Sequence, residues 1–125
     1  MPNSPNKIFS HSTTRTSAGV VSCGGSTTNE CHRLDLNSNS WSDFPSMNQK
    51  RSQFAMEAND THLFAVGGWE SETTMEWINL KDGKKWDKMN LTFAVRSHCI
   101  TRYNETHLLM TGGTSTQHSV IKNDF

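Results

Sequence analysis

Residues 51–68 read RSQFAMEANDTHLFAVGG, and residues 96–113 read RSHCITRYNETHLLMTGG. The second stretch follows the first by 45 places without a gap, and eight of the eighteen positions are identical, where unrelated segments would share about one by composition. The shared residues are Arg-Ser at the start, Asn-x-Thr-His-Leu in the middle and Gly-Gly at the end. The stretch is therefore an internal repeat, and the rest of the chain is read outward from it.

Within the unit, Phe54, Met56 and Ala58 alternate with Ala55 and Glu57, Asn59-Asp60-Thr61 supplies a turn, and His62 to Val66 runs back as a more continuous apolar strand. This pattern predicts an antiparallel hairpin. Val20-Val21-Ser22-Cys23 precedes an earlier Gly-Gly, so one short apolar strand ending in Gly-Gly occurs three times, 43 and 45 residues apart. Between the pairs, Cys31 to Leu36 alternates as a half-buried strand should, Asn37 to Ser40 forms a turn, and Trp41 to Phe44 starts another strand closed by Pro45. In the next unit Met75 to Leu80, Asp82-Gly83 and Trp86 take these places, with the two tryptophans 45 residues apart. Each period thus predicts four short strands, and no helical periodicity is present.

A sheet of such short strands cannot bury both faces alone, so neighbouring copies must cover it. Gly-Gly lets the chain leave the sheet at angles a Cβ would forbid. The tryptophan is the stacking body: about 200 Å² of buried indole at about 25 cal/mol/Å² contributes at most roughly 5 kcal/mol. Arg51 and Arg96, each ten residues after its tryptophan, are expected to pin successive sheets by hydrogen bonds to backbone carbonyls.

Gly-Gly, an apolar strand, a polar loop, the Leu34-Asp35-Leu36 strand, Trp and then Arg, on a period near 45, resembles the kelch repeat of β-propellers. The resemblance implies an all-β fold, a partial β-propeller of kelch-type four-stranded antiparallel blades. Two departures stand out: Leu34 and Ile78 replace the family's third-strand Tyr, and the Met that commonly precedes Arg survives only as Met47, with Thr92 at the equivalent place. The expected layout is a polar, disordered tail over residues 1–15, a partial blade over 16–46, a full blade over 50–90 and a partial blade over 95–122. Propellers close with about four to eight blades. Fewer than three blades leave open edges and faces, which points to a fragment, or to self-association through unpaired blade faces.

Composition narrows the function. Twelve acidic and twelve basic residues with no basic block provide no footprint for nucleic acid or an anionic membrane surface. The longest apolar runs are a few residues, and residues 1–19 lack the apolar core of a secretory signal, so a cytoplasmic location is the default expectation. Three cysteines fit no zinc spacing. They are either structural thiols, or Cys23 pairs with Cys31 on a neighbouring strand, which would imply an extracellular, oxidising compartment. The Asn-x-Thr sequons at Asn59, Asn90 and Asn104 are no more than chance provides in so Asn- and Thr-rich a chain, and Asn59 and Asn104 already serve turns.

No nucleophile–base spacing, phosphate-cradling loop or acidic metal cluster is visible, so no enzyme activity, metal or cofactor is expected. The histidines that start equivalent strands, His62 and His107, read as structural. Copper oxidases also use kelch-like propellers, but their radical chemistry needs tyrosines, and Tyr103 is the only one here. In kelch propellers the loop after Gly-Gly and the loop entering the innermost strand share a face that holds a protein partner. Carried over by position, that face includes Trp69, Glu70, Ser71 and Gln117 from the first loop type, and Ser52, Gln53, Ser97 and His98 from the second. Trp69 stands out because no equivalent aromatic follows the other Gly-Gly pairs. The expected function is a protein–protein interaction module serving substrate recognition or scaffolding. The alternative is a fragment of a propeller enzyme or secreted kelch protein whose functional groups lie elsewhere.

Overall fold

A computed structural model describes residues 11–25, 28–113 and 119–122. The described strands, in chain order, are β1 (Ser12–Thr16), β2 (Gly19–Cys23), β3 (Cys31–Asp35), β4 (Ser40–Phe44), β5 (Ala55–Ala58), β6 (His62–Val66), β7 (Thr74–Asn79), β8 (Asp87–Asn90), β9 (His98–Asn104), β10 (His107–Gly112) and β11 (Ser119–Lys122). They form three antiparallel sheets in sequence order, β1 to β4, β5 to β8 and β9 to β11. The all-β class and the four-stranded antiparallel sheets agree with the sequence pattern, and the sheets do not close on one another.

The first sheet is more complete than its sequence suggests. Residues 12–15, assigned to a polar tail, belong to β1, which pairs along its whole length with β2 from Ser12↔Cys23 to Thr16↔Gly19. Its sequence, STTRT, has no apolar residue, yet burial alternates along it. The strand is held by the ladder and by its neighbour rather than by a hydrophobic face: β1 lies against β5, as β5 does against β9. Of the rest of the expected tail, residues 1–10 lie outside the described residues.

Two apolar layers join the three sheets. Val21, Cys23 and Cys31 of the first sheet meet Met56, Leu63, Ala65, Ile78 and Trp86 of the second, with Met47 from the connection between them. Phe64, Val66 and Met75 on the opposite face of the second sheet meet Leu108 and Met110 of the third, with Val95. β6 is apolar on successive residues because both of its faces are covered. Trp86 is only 1% exposed, and its Nε1 donates to the Pro45 carbonyl at 2.7 Å. Trp41, its repeat equivalent, pairs with Leu34 and is half-buried.

Cys23 and Cys31 face each other across β2 and β3 and form a disulfide, while Cys99 is free and exposed. Closing so short a loop, eight residues in sequence separation, stabilises the chain by about 2–3 kcal/mol in the chain-entropy account. Titration of the denatured, unreduced protein should therefore find one thiol, rising to three after reduction; three before reduction would contradict the pairing.

The ungapped repeat hides a slip in structural register. The Gly25 amide donates to the Arg51 carbonyl at 2.9 Å, and the Gly68 amide donates to Val95, not Arg96, at 2.9 Å. Ala55 pairs with Val66, and Cys99 with Thr111, so the entry to the third sheet runs 44 residues behind its counterpart while the Gly-Gly end runs 45. A β-bulge absorbs the difference. Arg102 pairs with Leu108 and Asn104 with His107, leaving Tyr103 as the extra residue of β9, as bulges do where a strand is re-aimed. Past the bulge, equivalence returns: Asn59 Oδ1 accepts from the Thr61 amide as Asn104 Oδ1 does from Thr106. Asn59 also donates its Nδ2 to the Glu105 carbonyl at 3.0 Å and is buried, in keeping with a turn role.

One consequence corrects the role expected for Arg96. Arg51, fully buried, donates through Nη1 to the carbonyls of Gly67 at 2.9 Å and Thr74 at 3.0 Å, and through Nη2 to Glu76 Oε2 at 3.0 Å. Glu76, also fully buried, accepts from the amides of Asn48 at 2.6 Å and Gln49 at 3.2 Å. The pair fixes the connection between the first two sheets. Burial pulls the Arg51 pKa down, and the Glu76 carboxylate opposes that pull. In the third unit the slip puts Val95 in the place of Arg51, where it is fully buried in the second apolar layer, and moves Arg96 outward.

Candidate functional site

Three connections meet at one end of the second and third sheets: residues 51–53, 67–72 and 95–98. Gly67 and Gly68, at φ +66° and +99°, bring them together. A Cβ on Gly68 would stand 2.6 Å from the Phe54 Cβ and 2.7 Å from the Ser52 carbonyl oxygen, so only glycine allows this approach. The chain then makes a one-residue antiparallel bridge, Ser52↔Trp69, in which the Trp69 amide donates to the Ser52 carbonyl at 2.7 Å. That bridge anchors the backbone and leaves the indole 47% exposed.

The Arg96 guanidinium carbon lies 4.2 Å from the centroid of the Trp69 ring, a stacked cation–π contact of about 0.5–1 kcal/mol at an exposed site. Beside it, the Ser97 amide donates to the Gln53 carbonyl at 2.7 Å, and the Ser97 hydroxyl donates to Gln53 Oε1 at 3.0 Å. Gln53, Glu70 and Ser97 have φ of +52°, +70° and +55°. For such residues the left-handed region costs roughly 1–2 kcal/mol each, and strain of this kind gathers at functional sites.

The residues expected on this face divide. Gln53, Trp69 and Glu70 come together at the surface. Ser71 lies beneath it: it is 5% exposed, and its hydroxyl donates to the Lys50 carbonyl at 2.8 Å while its own carbonyl accepts from Arg51. It shapes the loop and offers no contact atom. His98 is likewise buried, 7% exposed, because the register slip gives it the core place that Phe54 holds one sheet earlier. Phe54 packs against Gly24 as His98 packs against Gly67. Gln117 lies outside the described residues.

Arg96 is the residue that sequence reasoning misplaced. One signal existed: Arg51 needs the Glu76 carboxylate, and residues 114–122 contain no acid to serve a third-unit counterpart.

Neither ring nitrogen of His98 has a hydrogen bond of good geometry among the described residues. Burial, opposed only by a weaker attraction to the Val66 backbone, holds its pKa down at about 4 against an ordinary 6.5. The unfolded chain therefore binds the proton more readily, so stability falls as pH drops from 6.5 towards 4, by up to about 3 kcal/mol. His98→Phe, which copies the residue at the equivalent place, should remove this dependence. Urea unfolding of both proteins at pH 7 and 4.5 checks it, and equal pH slopes would contradict the assignment.

No family model matches the chain, and no curated protein matches it.

Proposed function

We propose that the chain is part of a kelch-type β-propeller, two four-stranded blades and three strands of another, and that it works as a protein-interaction module. The loop end of the second and third blades is its partner face. Successive antiparallel meanders stacked through tryptophan-bearing faces, with Gly-Gly at each loop, support the architecture. The observation that carries the function is Trp69: a large aromatic, half-exposed on a rigid backbone bridge, that the repeat does not need for its own packing. Such residues act as interface anchors, and their truncation typically costs about 2 kcal/mol or more of binding.

A photo-reactive phenylalanine analogue at position 69 should crosslink a partner from native extract, while the same group at Leu36, exposed on a different turn, should not. Trp69→Ala should weaken recovery of that partner by about 30-fold or more, the equivalent of 2 kcal/mol. Unchanged recovery would remove Trp69 from the interface. The buried Cys23–Cys31 disulfide supports an oxidising compartment, which favours a secreted kelch protein over a cytoplasmic adaptor.

A further inference from the structure

We infer that the Trp69–Arg96 pair is a receptor for a single side-chain carboxylate presented beside an apolar side chain in a segment of a partner protein. This rests on the partner face proposed above and gives it a ligand chemistry. Among the arginines, Arg51 uses its donors on carbonyls, a hydroxyl and Glu76, Arg102 is paired with Asp60 and Glu105, Arg33 donates to the Ala18 carbonyl, and Arg15 stands exposed on β1 with no ring stacked against it among the described residues. Arg96 differs. Its guanidinium is stacked on an indole, and among the described residues no acceptor meets its N–H groups. Stacking orients a planar fork of donors without consuming them, the arrangement that recognises carboxylates bidentately.

The surrounding groups also present donors. Ser97 donates its hydroxyl to Gln53 Oε1, which occupies the amide's acceptor and leaves its NH2 group unspent. The Trp69 Nε1–H has no acceptor among the described residues either. The site therefore offers a guanidinium, an amide NH2 and an indole N–H from three connections held by the Ser52–Trp69 bridge and the Ser97–Gln53 bonds. The exposed part of the indole supplies apolar contact next to them. The acid nearest in sequence is Glu70, which is exposed, forms no ion pair with Arg96 among the described residues, and repels a second negative charge. The preferred segment carries a single carboxylate flanked by an apolar residue rather than an acidic run.

The test is selection of a random dodecapeptide library on the wild-type protein, on Arg96→Gln and on Trp69→Ala, with each variant's fold checked by its unfolding midpoint. The inference expects selected peptides enriched in Asp or Glu next to an apolar residue. Synthetic copies should bind at least tenfold more weakly when that acid is changed to its amide, and more tightly to Glu70→Gln. Binding should be lost with Arg96→Gln. Copies with free and amidated C-termini should bind alike, since a side-chain carboxylate is the ligand; dependence on a free C-terminus would overturn that. Peptides that need Trp69 but show no acidic preference would overturn the carboxylate receptor and leave the partner face standing. Peptides indifferent to both Trp69 and Arg96 would overturn both.

Discussion

Arg51→Ala should destabilise the chain by about 3–5 kcal/mol, because it strands the Glu76 carboxylate in a site with no solvent access. Both side chains are fully buried, with Arg51 Nη2 3.0 Å from Glu76 Oε2. The loss extends beyond the pair, since the arginine also serves the carbonyls of Gly67, Ser71 and Thr74. Against a total of about 5–15 kcal/mol for a domain, such a variant sits close to unfolding. Glu76→Gln should be milder, because the amide oxygen can still accept from Arg51 or a linker amide. Arg51→Met with Glu76→Leu should recover part of the loss, as replacing both members of a buried pair often does. Urea midpoints for the set check this. A cost below about 1 kcal/mol for Arg51→Ala would mean that the pair is hydrated and does not fix the connection.

Trp86→Ala is the second large effect, about 3–5 kcal/mol for a fully buried indole. It removes the body that packs the second sheet onto the first, together with the bond to the Pro45 carbonyl. Trp86→Phe separates the parts: it keeps most of the ring and loses the hydrogen bond, for about 1 kcal/mol. Trp41→Ala should cost distinctly less, because Trp41 is only half-buried. Equal losses at Trp41 and Trp86, measured by the same denaturation, would contradict the packing described.

Much of this architecture is readable from residues. The three Gly-Gly pairs and the alternation around Phe54 point to the strand order and antiparallel pairing observed, whereas of the two tryptophans 45 apart only Trp86 belongs to a buried layer. What stayed hidden had physical causes. β1 has no apolar residue, so hydrophobic pattern could not separate it from a tail; the ladder to β2 and the contact with β5 define it. Glu76 sits between Met75 and Trp77 and looks like the polar residue of a half-exposed strand, and its burial depends on an arginine 25 places away. The slip at the third sheet was masked by the Arg-Ser identity itself. A bulge at Tyr103 leaves no mark in an ungapped repeat, yet it carries Val95 and His98 into the core and Arg96 and Ser97 to the surface. Of the expected contact residues that are described, Gln53, Trp69 and Glu70 lie exposed. Ser71 and His98 are buried, because neighbouring sheets decide burial at those positions.

That slip is the pivot of the account, since it turns Arg96 from a buried pin into the stacked partner of Trp69. The direct measurement is the proton spectrum of Arg96 in the folded protein. The indole ring current should move its δ-methylene protons well upfield of their unfolded positions, with cross-peaks to the Trp69 ring, and Trp69→Leu should abolish the shift. Arg96 protons at unfolded positions, or cross-peaks from Arg96 to the interior of the third sheet, would contradict both the register and the site built on it.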